Sequence, residues 1–346
     1  MSFQIKLLPS GHTFEAQPGK RLLDEGLAAG LSLPYSCRMG TCNTCKVHMV
    51  EGEFEFGDAH PHYLPQSERD KGLALLCQAK ACSDLVIEVQ ELPKLIPPSK
   101  FTALVKRIKP LADDVLQVDI RLPLHQSLIF AAGQYIDFLL PGGERRSYSV
   151  ASATAEPMGT IDLTLHISHM PGGLFTDPLF GGAIKERHRL EVEGPLGTFF
   201  LREDSAKPIV MIATGTGYAP LRSILLDIFR KKIDRPVTLY WGGRRRKDLY
   251  LMEEPEAWAR EWPNFKFIPV LSGATPEDQW TGRTGRLNRA VVEDLPDLSG
   301  HQIYACGVPA MVASARDDFI QHCGLLDSEY FADAFVSSAD IGVVPA

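Results

Sequence analysis

The chain has 346 residues, of which 45% are hydrophobic and 23% are charged, a composition that is ordinary for a globular protein of two or three domains. Its formal net charge of −7 argues against a nucleic-acid partner, which would require a basic surface. No apolar run is long enough to span a bilayer, and the first twenty residues lack the features of a secretory signal, so the sequence predicts a cytoplasmic protein without a membrane span.

Residues 1–92 are predicted to form a small α+β domain. Strands are expected at Phe3–Leu8 and Thr13–Ala16, followed by a helix at Arg21–Ala29 whose leucines form one apolar face. A cysteine-rich loop follows, and further strands are expected after it at Lys46–Val50 and Leu85–Val89. The sequence therefore predicts a domain of short strands packed against one helix.

Four further regions are predicted beyond this domain. Residues 93–99 contain three prolines and are expected to be a stiff linker. Residues 100–203 alternate apolar and polar positions, which favours an antiparallel β-barrel. In residues 204–340, buried strands alternate with helices, which favours an α/β domain with a parallel sheet. Residues 341–346 are a tail, and mobility is expected from residue 336 onward.

Four cysteines have the spacing of a plant-type [2Fe–2S] site. Cys37, Cys42 and Cys45 are separated by four and two residues, and Cys77 follows at a distance. Structural zinc sites usually contain two C-x2-C pairs, and this region has one. The odd total of seven cysteines argues against a disulfide framework. Cys82 remains a rival for the position of fourth ligand.

The stretch from Pro34 to Cys45 resembles plant-type ferredoxins, and the resemblance extends across the first domain. It implies a β-grasp fold in which Cys37, Cys42, Cys45 and Cys77 bind the cluster. The Leu-Leu-Cys-Gln context of Cys77 matches this family, which favours Cys77 over Cys82. Gly40 lies between the first two cysteines, where a positive φ and a close backbone approach are expected.

A polar-aromatic segment in the predicted barrel has side chains that suit a flavin. Arg146 can pair with a pyrophosphate, Tyr148 can stack on a ring, and the Ser149 hydroxyl can hydrogen-bond the ring's reactive end. An ordinary barrel strand explains the same residues equally well. Gly173 and Thr176 lie in a glycine-rich loop that could hold phosphate through backbone N–H groups.

The order of these segments, with Gly133–Ile136 and Glu193–Gly197, resembles the ferredoxin–NAD(P)⁺ reductase family over roughly residues 100 to 340. The resemblance implies FAD, with Arg146, Gly173 and Thr176 at its phosphates and Tyr148 and Ser149 at its ring. FMN occurs in some members of the family, in which the ferredoxin domain is at the other end of the chain. An acidic and an aromatic residue near the C-terminus, here Asp333 and Phe335, face the flavin in such proteins, although glutamate is commoner than aspartate.

A second glycine-rich turn follows the buried strand at Pro208–Ala213 and contains Gly215, Thr216, Gly217 and Pro220. Such a turn exposes N–H groups at a helix N-terminus, where a dinucleotide pyrophosphate binds. It lacks the third glycine of the G-x-G-x-x-G fingerprint, so the pattern is weak by itself.

The later pair Cys306–Gly307 strengthens this interpretation, because the two motifs together resemble the nicotinamide domain of the same family. Cys306 is then a positioning residue near the nicotinamide. Arg244 begins a run of three arginines in the region that meets the adenosine half. An arginine there could read a 2′-phosphate, or the run could be a solvated turn. The following Lys247–Tyr250 looks more like NADH-using members, so NADH is expected and NADPH remains possible.

The three predicted sites form one electron-transfer circuit, from NAD(P)H through FAD to a [2Fe–2S] cluster and then to a protein acceptor. No catalytic acid or nucleophile is needed. The domain order resembles reductase components of aromatic-ring and alkane oxygenases, and equally the CDP-6-deoxy-3,4-glucoseen reductases of deoxysugar synthesis. The acceptor is therefore an oxygenase or a dehydratase component. Two further classes of function stay open, a self-contained flavoenzyme that reduces a small molecule and a stand-alone electron carrier or sensor.

Overall fold

The computed structural model describes residues 2–93, 96–155 and 157–335, so the tail and the segment predicted to be mobile lie outside the described residues. The chain divides into two compact units, one formed by Met1–Leu95 with Ala332–Ala346 and the other by Ile96–Phe331. Each helix among the described residues is too short or too polar to cross a bilayer.

The first unit contains a five-stranded mixed sheet and a small two-stranded sheet. The first and last strands of Met1–Leu95 pair in parallel, next to each other in the larger sheet. The sheet packs with a helix around one apolar core, in which Ile5, Leu22 and Leu75 are completely buried. The elements are β1 (Phe3–Leu8), β2 (Thr13–Ala16), α1 (Leu22–Ala28), β3 (Lys46–Glu51), β4 (Phe54–Glu55), α2 (Gln66–Arg69), β5 (Leu73–Leu75), β6 (Lys80–Ala81) and β7 (Leu85–Glu88).

This sheet has the order β2-β1-β7-β3-β5, and β4 pairs with β6. The strands and helix predicted from the sequence are present to within a residue or two, and the α+β class is confirmed. The short elements α2, β4, β5 and β6 were not predicted, because two to four residues are too few to show a hydrophobic period. The segment from residue 31 to residue 45 has no regular secondary structure, and it carries three of the four candidate ligands.

The second unit begins with an antiparallel barrel of strand order β11-β10-β13-β8-β9-β12. A bridge between Val150 and Leu165 joins the two ends of this order and closes the barrel. The predicted barrel strands are confirmed, and β13 is an addition that overlaps the predicted Glu193–Gly197 motif. The elements are β8 (Ser99–Ala112), β9 (Val115–Arg121), β10 (Tyr135–Leu139), β11 (Arg145–Ser149), β12 (Asp162–Ser168), α3 (Thr176–Phe180) and β13 (Arg189–Leu196).

The same unit continues as an α/β domain whose strands pair in parallel, as predicted. Its central strand β14 lies between β15 and β18, so the turns that follow these strands meet at one edge of the sheet. The elements are β14 (Ile209–Thr214), α4 (Tyr218–Lys231), β15 (Val237–Gly243), α5 (Glu253–Glu261), β16 (Phe265–Leu271), β17 (Arg283–Thr284), α6 (Leu287–Asp294), β18 (Gln302–Gly307) and α7 (Pro309–Cys323). The last strand, β19 (Tyr330–Ala334), begins in this unit, and its residues from Ala332 onward belong to the first unit.

Candidate functional site

The four candidate ligands come together in the first unit as two contacting pairs. The thiols of Cys37 and Cys42 hydrogen-bond each other, and those of Cys45 and Cys77 do the same. Cys42, Cys45 and Cys77 are buried and Cys37 is partly exposed, whereas the rival Cys82 is exposed. The loop and the distant Leu-Leu-Cys-Gln segment therefore meet at one place.

Hydrogen-bond donors surround the sulfur atoms. The backbone N–H groups of Met39 and Thr41 point at Cys37 Sγ, with donor–acceptor distances of 3.4 and 3.5 Å, and the Thr41 hydroxyl lies at 3.4 Å. The Cys42 thiol, followed by Thr41, lowers the pKa of Cys37 to about 5, against the opposing effect of burial. Gln78 Nε2 lies 3.6 Å from Cys77 Sγ. These donors favour the thiolate form, which binds iron, at Cys37 and Cys77. In each pair the partner thiol, followed by burial, raises the pKa of the other cysteine, Cys42 or Cys45.

This donor set fits a two-iron cluster better than a single ion. Among the described residues, no group of three or more His, Cys, Asp or Glu side chains is arranged around one ion. In a four-cysteine [2Fe–2S] centre each iron has two protein ligands, which matches two separate thiol pairs. The loop also has the tight backbone that such a site needs. Gly40 has a φ of +79°, as predicted, and a Cβ there would lie 2.9 Å from Gln78 Cγ.

The candidate flavin residues lie on β11 and on the loop before α3. Tyr148 packs against Phe138 and Phe175, with ring centroids 5.5 and 5.4 Å apart, and burial raises the pKa of its hydroxyl. Arg146 is partly exposed on the same strand and Ser149 is buried at its end. The strand therefore carries a partly buried tyrosine ring, packed on two buried phenylalanines, two positions from an arginine, which suits a ring bearing a pyrophosphate.

The side chain of Thr176, the first residue of α3, hydrogen-bonds the loop that precedes this helix. Thr176 Oγ1 donates to the Met170 carbonyl at 2.8 Å and accepts from the Met170 N–H at 3.2 Å. A Cβ on Gly173 would lie 2.3 Å from this hydroxyl, so the loop requires glycine there. In this conformation Thr176 shapes the loop, and its contact with phosphate stays a prediction.

The candidate nicotinamide residues come from two turns that touch. A Cβ on Gly217 would lie 2.3 Å from the backbone oxygen of Cys306. The N–H of Val308, next to Gly307, donates to Thr214 Oγ1 at 3.1 Å. Thr216 accepts a hydrogen bond from Ser168 of the barrel at 3.2 Å, and Pro220 is buried in the first turn of α4.

At Gly215 the space that a Cβ would occupy is open. A turn with free space at the start of a helix and in line with a parallel strand can receive a dinucleotide pyrophosphate. The turn that contains Gly217 and the turn that contains Cys306 are therefore in contact, and open space for such a ligand lies beside Gly215.

The three arginines after β15 have different surroundings. The backbone N–H groups of Arg244 and Arg245 both donate to Asp248 at 2.8 Å. The Arg245 guanidinium contacts Asp278 at 2.6 Å, Thr275 Oγ1 at 2.6 Å and Glu277 at 3.2 Å. The Arg244 side chain lies against Gly273, where a Cβ would be 2.8 Å from its Cγ. The Arg245 guanidinium is therefore hydrogen-bonded to side chains of the segment 275–278 of this chain.

A polar network that the sequence did not reveal joins the barrel to the α/β domain. Buried His166 on β12 contacts the Tyr250 hydroxyl at 3.0 Å. Arg222 on α4 donates to the Ala151 carbonyl at 2.6 Å and forms a two-pronged ion pair with Glu254. Thr154 bonds Asp227 of the same helix at 2.8 Å. These partners are 32 to 84 positions apart in the chain, so no local pattern could have indicated them.

Burial, and then the nearby charge of Arg222, lower the pKa of His166 to about 3. An unfolded histidine titrates near pH 6.5, so below that pH the unfolded chain takes up a proton that the folded chain refuses. The stability present above pH 6.5 is therefore lost as the pH falls toward 3. We expect the free energy of unfolding of the wild type to fall by roughly 1 kcal/mol per pH unit more than that of His166→Gln between pH 6 and 4.5.

Urea unfolding at several pH values measures this difference in slope. Replacement of the exposed His125 by Gln is the matched control and should leave the slope of the wild type unchanged. Equal slopes for the wild type and His166→Gln would show that His166 is not held neutral.

Three family profiles match successive parts of the chain. A 2Fe-2S iron-sulfur cluster binding domain matches residues 5–82, an oxidoreductase FAD-binding domain matches 102–201, and an oxidoreductase NAD-binding domain matches 211–317. A CDP-6-deoxy-L-threo-D-glycero-4-hexulose-3-dehydrase reductase from Yersinia pestis is 38% identical, over 98% of this chain and all of that protein. The chain belongs to the ferredoxin-reductase-type [2Fe–2S] flavoprotein reductases.

Other members of this reductase family have different named roles. Reductase component 2 of a terephthalate 1,2-dioxygenase from Comamonas is 36% identical, over 97% of this chain and 98% of that protein. The crystal structure of the Amycolatopsis cytochrome P450 reductase GcoB is 34% identical, with a TM-score of 0.76 over 97% of this chain and 99% of that chain. The predicted fold class, with its ferredoxin, barrel and α/β parts, is confirmed.

The reductase carries a [2Fe–2S] cluster, FAD and NAD(H), and it transfers electrons from the nicotinamide through the flavin to the cluster. When bound, FAD would supply the conversion of a two-electron hydride into single electrons, and a [2Fe–2S] cluster would supply a one-electron acceptor. The protein's own contribution is to bind and orient these groups, as the loops described above are built to do.

Proposed function

We propose that this reductase is the NADH-oxidising component of a two-protein or multi-protein system. Its acceptor is a partner enzyme, either a dehydratase that acts on a deoxysugar precursor or an oxygenase component. The observation that carries the proposal is a four-thiol loop in the same chain as a flavin barrel and a nicotinamide domain. Relatives that match nearly the whole chain are named for both kinds of partner, so both belong to the proposal.

The proposal assigns each predicted residue a role. Cys37 with Cys42, and Cys45 with Cys77, hold one iron each. The flavin contacts are Arg146, Tyr148, Ser149, Gly173, Thr176 and Phe335, and the nucleotide contacts are Gly215, Thr216, Gly217, Pro220, Arg244, Cys306 and Gly307. Support comes from the paired thiols, the packing of Tyr148 on two phenylalanine rings and the touching turns at Gly217 and Cys306. Phe335 is partly buried at the end of the described residues.

The proposed domains keep the boundaries predicted from the sequence. They are a ferredoxin domain at 1–92, a linker at 93–99, an FAD barrel at 100–203, an NAD domain at 204–340 and a tail at 341–346. The three profile matches fall inside the first, third and fourth of these ranges. A cytoplasmic location belongs to the same proposal, since reductases of this kind draw on the cell's NADH.

The preference for NADH rests on the surroundings of Arg245. A 2′-phosphate is read by an arginine whose donors are available. Arg245 instead donates to Asp278, whose pKa is lowered to about 2, first by the Thr275 N–H and then, against the opposing effect of burial, by Arg245 itself. Asp278 is therefore charged at neutral pH and keeps the guanidinium engaged. A cavity of about 490 Å³ that Thr275 and Trp280 help to line lies beside this loop.

Anaerobic titration tests both the circuit and the nucleotide choice. We expect NADH to bleach the flavin of the wild type and then to produce the EPR signal of a reduced cluster, at roughly tenfold lower concentration than NADPH. Asp278→Asn should raise kcat/KM for NADPH about tenfold and change that for NADH little, because it releases Arg245. Glu293→Gln, which removes the ion pair with Arg283, is the matched control.

Two outcomes would contradict the proposal. If neither nucleotide produced a reduced-cluster signal, the circuit would be wrong. If Asp278→Asn left NADPH use unchanged, Arg245 would not govern the choice of nucleotide.

A separate experiment identifies the partner. A purified oxygenase or dehydratase component is added to the NADH-reduced protein, and reoxidation of the cluster is followed.

A further inference from the structure

The C-terminal segment at Ala332–Asp333 contacts both ends of the cysteine loop in the first unit. The Ser36 hydroxyl donates to Asp333 Oδ1, and both side chains are buried, with exposed fractions of 2% and 6%. The Thr44 hydroxyl donates to the Ala332 carbonyl at 3.0 Å. Ser36 directly precedes the first cysteine of the loop and Thr44 directly precedes the third. Two neighbouring residues near the C-terminus thus hold the loop at both ends.

The loop needs restraint from outside. It has no regular secondary structure from residue 31 to residue 45. Arg38 and Asn43 have φ values of +56° and +61°, a region that side chains other than glycine rarely adopt. Strained backbone persists only where surrounding contacts hold it. A hydrogen bond to a buried carboxylate is among the stronger contacts available for this purpose.

We propose that Ala332–Asp333 is a clamp on the cluster-binding loop, and that Ser36, Thr44 and Asp333 are positioning residues for the cluster. This inference rests on the proposed ligands Cys37, Cys42, Cys45 and Cys77. It gives Asp333 a different task from the one expected by resemblance, since its carboxylate receives a hydrogen bond from the loop beside Cys37. The C-terminal segment, far from the cysteines in sequence, then determines how tightly the iron is held.

The test uses the full-length holoprotein and the rate at which ferrozine removes its iron, together with the EPR spectrum after reduction by dithionite. Ser36→Ala and Asp333→Asn should each release iron about tenfold faster and shift the EPR g-values, because each removes the bond at the start of the loop. Ser36→Thr keeps the hydroxyl and should restore the slow release of the wild type. Thr44→Val should accelerate release and Thr44→Ser should not.

A double-mutant cycle decides whether Ser36 and Asp333 act together. Ser36→Ala with Asp333→Asn should release iron no faster than either single variant, since both remove the same bond. Asp84→Asn is the control, because Asp84 also accepts a backbone hydrogen bond in the first unit, at 2.8 Å, but lies outside the loop. If an Asp333 variant fails to fold, the Ser36 and Thr44 series still tests the clamp.

The clamp is overturned if Ser36→Ala and Asp333→Asn release iron at the wild-type rate with unchanged spectra. It is also overturned if Asp333→Asn slows only the reduction of the flavin by NADH, which would assign the carboxylate to the flavin. Failure of the ligand assignment is distinguishable, because Cys42→Ser would then retain two irons per chain.

Discussion

Cys77→Ser is expected to lose the cluster and to reduce cytochrome c with NADH at least about a hundredfold more slowly, while NADH still bleaches the flavin. Cys77 is buried and pairs with Cys45, so its loss would leave one iron with a single cysteine ligand. A serine hydroxyl is a poor substitute, because iron–sulfur clusters select soft thiolates. The measurements are iron content, the EPR spectrum of the dithionite-reduced protein and the two reduction rates.

Cys82→Ser is the matched control, since Cys82 is only five positions away but exposed. It should keep its iron and its cytochrome c activity. The reverse result, with iron lost from Cys82→Ser and kept by Cys77→Ser, would assign the fourth ligand to Cys82. Full turnover of a small-molecule substrate by Cys42→Ser would instead favour a self-contained flavoenzyme.

The second large effect is expected for Gly217→Ala. The added methyl group would lie 2.3 Å from the Cys306 oxygen, 2.5 Å from the Cys306 carbonyl carbon and 2.8 Å from Gly307 Cα. These are backbone atoms that cannot rotate away, so the two nucleotide turns must separate. A displacement of about an ångström in a binding site can lower the rate about a hundredfold, and we expect such a fall in kcat/KM for NADH.

Stopped-flow measurement of flavin reduction by NADH checks this expectation, with dithionite reduction of the cluster as an internal reference that should not change. Gly300→Ala is the matched control, because nothing lies within 4 Å of the position its Cβ would take. Normal flavin reduction in Gly217→Ala would mean that the close approach of the two turns is not needed for nucleotide binding.

The sequence predicted most of the fold because its signals are local. Alternating strands such as Asp162–Ser168, and the apolar run that became Ile209–Thr214, show their period within a few residues. The cysteine spacing is a similarly local signal, since three of the proposed ligands lie within nine positions of the chain. Short strands such as Lys80–Ala81 were missed because they owe their conformation to the neighbouring strand.

The contacts between distant segments could not have been predicted. His166 and Tyr250 are 84 positions apart, and Ser36 and Asp333 are 297 apart. Each of these residues taken alone is as consistent with an exposed position as with a buried pair. Arg245 illustrates the same limit for the site, because only the fold shows that Asp278 and Thr275 occupy its guanidinium.

Helix α4 connects two features that were described separately. Its first turn follows the nucleotide turn at Gly215–Gly217, and its side chains Arg222, Ser223 and Asp227 hold Ala151, Ser152 and Thr154, the segment directly after β11. A single helix of 14 residues therefore connects the segment after the strand that bears Tyr148 to the glycine-rich turn that is proposed to bind the dinucleotide. The separation between the end of β11 and this turn is therefore set by one continuous helix and not by a loop.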